Sequence, residues 1–286
     1  MYVFRLFCFL LAPMVVAACS EAPFTHRRQM ILVSETQEIA VGVDRYEKAL
    51  KHLVPSPDAE ANRLVSKVGR RLAQAASKDN YLWEFAVIDG PEIVNAWVLP
   101  GGKVGVYTGV FPVARDETGL AIILAHEVAH ALARHHGEKT SRDLVMEVGG
   151  MSATFTPSVI RQGYSLGTNL GLILPFGQVQ EAEADYIGLL LAAKAGYDPR
   201  AALEVWTRMA AVAEKLPQPP QFLASHPGYE TRRRNIEKWL PEALASYDEA
   251  LAQTAEPLPA LDKLERPPPG ELEKSEDEQE QAQPEH

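Results

Sequence analysis

The stretch LAHEVAHALARHH, residues 124–136, holds four of the chain's eight histidines and constrains the fold more than any other feature. It continues a run rich in alanine and leucine that follows two acidic residues, a pattern typical of a helix. Residues four apart on a helix differ by about 40° around its axis, so His126 and His130 project from one face. Two imidazoles at this spacing can bind one Zn²⁺ ion, and Glu127 lies beside them, where its carboxylate can take a proton from water. The sequence therefore predicts a helix that carries a zinc site, with one ion per chain.

The third protein ligand is not given by this helix. His136 lies at the distance from His130 that the extended motif H-E-x-x-H-x-x-G-x-x-H requires, but position 133 is alanine and not the glycine that ends the helix in that motif. If the helix continues, His136 is turned about 240° from His130, away from the metal. We therefore do not expect His136 to be a ligand. His135 is interpreted as a polar residue near the helix end, beside the ligand set.

A second helix offers carboxylates in the stretch EAEAD, residues 181–185. Glu181 and Asp185 are four residues apart and share a face, whereas Glu183 is about 200° from Glu181 and is expected to point elsewhere. One of the two carboxylates on the shared face can complete a His/His/carboxylate zinc site with a fourth position for water, and the other can orient a ligand histidine through its free N–H. Taken alone, three acids in five residues more often mark a solvated face.

The amino-terminal segment has the layout of a secretory signal: Arg5, an apolar run, then small residues up to Cys19. We predict a signal peptide over residues 1–18 and a linker over 19–28. The letters VAAC resemble a bacterial lipobox, in which Cys19 becomes the lipidated first residue of the mature protein and binds the membrane. A plain signal peptide or signal anchor is the alternative. Cys8 is the other cysteine, so the mature chain would have no thiol for catalysis or zinc binding.

The carboxy-terminal segment, residues 251–286, is predicted to be a disordered acidic tail rich in proline and glutamate. Its last 31 residues hold ten acidic and three basic side chains, so they supply −7 of the formal net charge of −10. The remaining chain has no basic stripe, and we expect no nucleic-acid partner. This leaves residues 29–250 as the folded domain.

Within this domain the pattern predicts helices that begin near Ser34 and near residue 58, followed by two β-forming stretches, WEFAVIDG and KVGVYTGV, and then by further helices. The fold class is therefore α+β and mostly helical, with a small β-sheet beside the H-E-x-x-H helix. Residues 147–177 are apolar and rich in glycine. One interpretation is a mobile or membrane-facing segment. The other is a loosely packed helix pair in the core.

HEVAH followed about fifty residues later by EAEADYIGL resembles the gluzincin zinc metallopeptidase family that includes the CAAX prenyl protease and HtpX. NAWVLPGGKVGVYTG and SHPGYETR resemble stretches of its periplasmic lipoprotein branch, that of BepA and LoiP. The resemblance covers about residues 29–250 and implies a zincin-like metalloprotease fold. It also implies that Glu181 is the third zinc ligand and that Asp185 supports a ligand histidine. Helical phase then predicts that Glu181→Ala loses zinc and activity and that Glu183→Ala keeps both.

This resemblance implies a zinc-dependent endopeptidase of the bacterial cell envelope, which cleaves misfolded or stalled envelope proteins by metal-activated water, with Glu127 as the general base. The strand Val104–Tyr107 is expected to pair with an extended substrate. We expect the protein on the periplasmic side, lipid-anchored through Cys19, at the outer membrane. The alternative is a chaperone-like or assembly-assisting envelope lipoprotein with a silent or structural zinc site.

The loop SHPGYETR contributes two further candidates. Resemblance implies that His226 can occupy the fourth zinc position and exclude the catalytic water, and neutral imidazole is a suitable ligand for that position. Arg232 is expected to anchor this loop through a carboxylate. The plainer interpretation makes His226 an ordinary loop residue and Arg232 part of a solvated helix start.

Overall fold

The computed structural model describes residues 19–148, 177–213, Phe222, His226 and 229–255. The predicted signal peptide, most of the glycine-rich stretch 147–177 and nearly all of the acidic tail lie outside these residues. By its internal contacts the chain divides into two units, residues 1–250 and 251–286. Of the second unit the structure describes residues 251–255, which end the last helix.

The described residues are mostly helical, with two small sheets, so the predicted α+β class with a zincin-like arrangement is confirmed. No described helix combines the length and the apolar character that a membrane crossing requires. In chain order the elements are β1 (Cys19–Glu21), β2 (Arg28–Met30), α1 (Glu35–Leu50), α2 (Ala59–Ala76), β3 (Glu84–Ile88), β4 (Ala96–Leu99), β5 (Lys103–Tyr107), α3 (Phe111–Ala114), α4 (Glu117–Leu132), α5 (His135–Val148), α6 (Gln178–Lys194), α7 (Ala201–Ala213) and α8 (Tyr229–Ala255).

The larger sheet has the strand order β3–β5–β4, with β3 parallel and β4 antiparallel to β5. Gly101 and Gly102, both with positive φ, make the turn between β4 and β5. The expected substrate pairing at Val104–Tyr107 is wrong, because β5 is the central strand and its backbone is already bonded on both sides. Among the described residues the strands at the edges of this sheet are β3 and β4.

The helix α4 carries the HEVAH motif. Asp116 caps it: its side chain accepts a hydrogen bond of 2.8 Å from the backbone N–H of Gly119. Every residue from Gly119 to Leu132 is buried, because α2, β4, α6 and α7 surround the helix. The helix ends at Leu132. The sequence pattern had predicted that it continues through His136.

The break after α4 is made by Arg134, which adopts a left-handed conformation with φ of 58°. Its guanidinium donates to the backbone oxygen of Val33 at 2.9 Å and forms an ion pair with Glu38. These long-range contacts hold a conformation that is unfavourable for a residue with a Cβ. The chain then turns into α5, so His135 and His136 belong to a new helix.

Helices α4 and α6 pack closely at Gly188. A Cβ atom at this position would lie 2.9 Å from the backbone nitrogen and Cα of His126, closer than real contacts allow. Glycine therefore permits the two backbones to approach each other. This approach brings the acidic first half of α6 beside the two histidines of α4.

Residues 19–28 belong to a β-hairpin and are not the linker that was predicted. β1 and β2 pair antiparallel, with Cys19 opposite Met30 and Glu21 opposite Arg28. Ala22 is buried in the turn between them, and β2 contacts α5. The segment was missed because its strands are three residues long and polar, and long-range packing stabilises them.

Candidate metal centre

Four side chains converge between α4 and α6: His126, His130, Glu181 and His226. One donor atom from each lies within 4.8 Å of the others, and all four residues are buried. The Nε2 atoms of His126 and His130 are 3.2 Å apart, and each lies 3.6 Å from a carboxylate oxygen of Glu181. Buried lone pairs so close together repel one another unless a cation or a proton lies among them. Two imidazoles and a glutamate are a usual donor set for catalytic zinc, so these residues fit that ion.

Asp185 and Arg232 lie beside His126. The Oδ1 atom of Asp185 is 3.0 Å from His126 Nδ1, the ring nitrogen turned away from the cluster. Arg232 donates two hydrogen bonds to Asp185, at 2.7 and 2.8 Å, and its guanidinium stacks over Trp206. Burial alone would raise the pKa of Asp185, but Arg232 and His126 outweigh it and lower the pKa. The structure thus places Asp185 where it orients His126, and gives Arg232 the carboxylate partner that was expected.

Glu127 occupies the next position on α4 and is almost fully buried. Its Oε1 atom lies 3.3 Å from His226 Nε2 and accepts no hydrogen bond from the described residues. Burial is the main cause that raises the pKa of this carboxyl. A carboxylate held beside the donor cluster with a free oxygen is placed to take a proton from a water molecule.

His226 contacts donors from both helices of the cluster. Its Nδ1 atom lies 3.0 and 3.1 Å from the two oxygens of Glu181 and 3.3 Å from His126 Nε2. The backbone N–H of His226 donates to the backbone oxygen of Phe222, and that of Phe222 donates to the backbone oxygen of Val94, two residues before β4. These bonds connect His226 to the segment that precedes β4, and its side chain occupies the position of a fourth donor.

A second group of polar residues lies behind His130. It contains His135, which was expected beside the ligand set, and Glu183, whose part in the group was not predicted. His135 Nδ1 is 2.8 Å from His130 Nδ1, and His135 Nε2 is 2.9 Å from Glu183. Glu183 does point away from the cluster, but it is buried and bonded. Helical phase therefore no longer supports the expectation that Glu183→Ala keeps zinc and activity. His136 lies outside the group that could hold a metal, as expected.

Comparison with known proteins shows the family to which the chain belongs. Residues 58–240 match the model of peptidase family M48. The mitochondrial metalloendopeptidase OMA1 of Schizosaccharomyces pombe is 37% identical over 225 residues, which are 77% of this chain and 66% of that protein. The protein of the same name from Saccharomyces cerevisiae is 30% identical over 254 residues, which cover 80% of this chain and 71% of that protein.

A bacterial relative is more distant. The beta-barrel assembly-enhancing protease of Escherichia coli is 29% identical over 209 residues, 68% of this chain and 42% of that protein. Residues 58–240, which match the family model, contain all four donors of the cluster as well as Glu127 and Asp185. The chain belongs to peptidase family M48, whose members use zinc, and the cluster that contains His126, His130 and Glu181 could hold that ion.

Proposed function

We propose that the protein is a zinc-dependent endopeptidase of the bacterial cell envelope, which cleaves misfolded or stalled envelope proteins. The observation that carries the proposal is Glu127: a buried carboxylate with a free oxygen beside a His/His/Glu donor set. A purely structural zinc site has no use for such a group. The envelope location is supported by the signal-like segment before Cys19 and by the similarity to the Escherichia coli protease. The names of the two fungal relatives contain the word mitochondrial, so similarity to known proteins points to more than one location. The amino-terminal segment is therefore the stronger of these two supports.

The residues of the chain have separate tasks in peptide hydrolysis. His126, His130 and Glu181 would hold the zinc ion, whose chemistry in such sites is to activate a water molecule and polarise the scissile carbonyl. Glu127 takes the proton of the water and passes it to the leaving amine. Asp185 accepts the Nδ1–H of His126 and so keeps Nε2 of that ring free for the metal.

An extended substrate is best placed along β4. Among the described residues this strand lies at an edge of the sheet and packs against α4, which carries His126 and Glu127. All four residues of β4 are buried, so the site must open before a peptide can reach the strand. An extended peptide pairs with such an edge through its backbone, so selection would depend on an unfolded segment more than on particular side chains. This preference agrees with misfolded or stalled proteins as the substrate class.

One observation favours a second candidate function. Because His226 lies in the position of a fourth donor, a zinc site in this conformation has no room for the catalytic water. The protein would then act as a chaperone-like or assembly-assisting lipoprotein with a silent site. Glu127 favours the protease, with His226 as a plug that leaves before the peptide binds.

The two candidates are separated by envelope proteomics of cells that produce the wild-type protein or Glu127→Gln. If the protein is a protease, envelope proteins accumulate with Glu127→Gln, and fragments present with the wild type disappear. If it is an assembly factor with a silent site, the two proteomes are the same. A strain that lacks the protein is the control, since an assembly factor changes the proteome only when it is absent.

A further inference from the structure

We propose that His135 and Glu183 are positioning residues for the zinc ligand His130, and that Arg27 of the amino-terminal hairpin anchors them. The inference rests on the proposed zinc site but not on any substrate. It assigns a role to three residues that the H-E-x-x-H motif and the distal glutamate leave unexplained.

The first step is the contact between His130 and His135. His130 turns Nε2 to the donor cluster, so its other nitrogen, Nδ1, must carry the ring hydrogen when a metal is bound. This Nδ1–H points at Nδ1 of His135, 2.8 Å away, and both rings are fully buried. His135 can accept the hydrogen bond only if its own hydrogen is on Nε2.

The second step is the contact between His135 and Glu183, which selects that tautomer. His135 Nε2 lies 2.9 Å from Glu183 Oε2, and a carboxylate only accepts hydrogen bonds. Two further donors, the hydroxyl of Thr25 and the guanidinium of Arg27, also bond the carboxylate of Glu183, and arginine is a permanent cation. The chain of contacts therefore runs in one direction, from the N–H of His130 to the charge of Glu183.

Arg27 anchors the carboxylate of Glu183. Arg27 Nε donates to Glu183 at 2.8 Å, and both terminal nitrogens of Arg27 donate to Glu138, at 2.9 and 2.7 Å. The hydroxyl of Thr25 also donates to Glu183. The turn between β1 and β2 thus supplies the groups that compensate the buried charge, and the hairpin becomes part of the support of the metal centre.

His126 and His130 are therefore oriented by different means. His126 donates directly to the carboxylate of Asp185, whereas His130 reaches the carboxylate of Glu183 through an intervening imidazole. Outer partners of metal-bound histidines fix ring orientation, and their removal lowers metal affinity about 10- to 100-fold. We expect His135→Leu and Glu183→Ala to fall in that range.

The test uses the purified full chain without substrate. Zinc affinity is measured by competition with a chromogenic chelator, and the geometry of the site is read from the visible absorption spectrum of the Co²⁺-substituted protein. His135→Asn keeps an oxygen that can accept from His130 and should retain the wild-type affinity and spectrum. His135→Leu and Glu183→Ala should weaken zinc binding and shift the cobalt bands.

The control is Glu35→Ala. Glu35 forms an ion pair of 2.7 Å with Lys78, with side-chain exposures of 29% and 27%, and in the described part of the chain it is hydrogen-bonded neither to a histidine nor to Arg134. It should lower thermal stability without a change in zinc affinity. Wild-type affinity and spectrum in His135→Leu would overturn the proposal, and so would equal losses in Glu35→Ala and Glu183→Ala. A protein that shows the expected metal effects but cleaves no peptide would refute the proposed protease and leave this inference intact.

Discussion

At the scale of single residues, three glutamates of the site differ only in their surroundings. The Oε1 atom of Glu127 accepts no hydrogen bond from the described residues, and burial raises the pKa of this carboxyl. Glu181 is also buried, which alone would raise its pKa, but His226 and His126 lower it far below the ordinary value. Environments that separate the pKa values of two carboxyls assign one as proton acceptor and the other as permanent anion. Glu183 is a third case, an anion paired with Arg27 outside the cluster.

His226→Ala should raise the rate of casein cleavage or self-cleavage at unchanged zinc content. The physical reason is that the fourth donor position becomes free for water and for the scissile carbonyl. Cleavage is measured at equal zinc occupancy and equal thermal stability, with exposed His52 replaced by alanine as the control. Equal rates for the wild type and His226→Ala would show that His226 is an ordinary loop residue.

Helical spacing alone pairs His126 with His130 and Glu181 with Asp185, but it does not choose Glu181 over Asp185 as the ligand. That choice, and the candidate role of His226, came from the resemblance to the family. Neither placed His135 behind His130, since the turn that brings it there depends on the left-handed conformation of Arg134. That conformation is held by contacts to Val33 and Glu38, about a hundred residues earlier in the chain. Local sequence patterns do not predict contacts between residues so far apart in the chain.

At the scale of elements, the site depends on how closely α4 and α6 approach each other. Gly188→Ala introduces a Cβ within 2.9 Å of the His126 backbone, so the helices must separate. We expect a loss of about 1–3 kcal/mol in the free energy of unfolding, together with weaker zinc binding as Glu181 moves away from the histidines. Denaturant unfolding and chelator competition measure the two effects.

The control is Gly177→Ala, at the start of the same helix. A Cβ there meets no atom closer than 3.9 Å, so stability and zinc affinity should stay near those of the wild type. If Gly188→Ala bound zinc as tightly as the wild type, the close approach would not be what places Glu181.

The strands show where local patterns stop being informative. Both predicted β-forming stretches contain strands, because alternating β-branched and aromatic side chains favour them. Their order in the sheet was not predictable, since β5 pairs with β3 and β4 through contacts that the spacing of residues does not encode. For this reason β5 was expected to pair with an extended substrate, whereas it is the central strand.

At the scale of the whole molecule, the hairpin that supports His130 begins at Cys19. We propose that a lipid on this cysteine attaches the protein to the membrane. Cys19→Ala should then leave the precursor unprocessed or move it out of the membrane fraction, and labelling with palmitate should disappear. Cys8→Ala changes the other cysteine of the amino-terminal segment and should keep the label. A Cys19→Ala protein that fractionates with membranes and takes up palmitate would contradict the lipid anchor.

The central claim is that His126, His130 and Glu181 hold a zinc ion at which Glu127 acts as general base. Zinc content and casein cleavage, measured on the wild type, Glu127→Gln and Glu181→Ala, test it most directly. We predict one zinc ion per chain and cleavage for the wild type, zinc without cleavage for Glu127→Gln, and loss of both for Glu181→Ala. Cleavage by Glu127→Gln at the wild-type rate, or full zinc content in Glu181→Ala, would contradict the account.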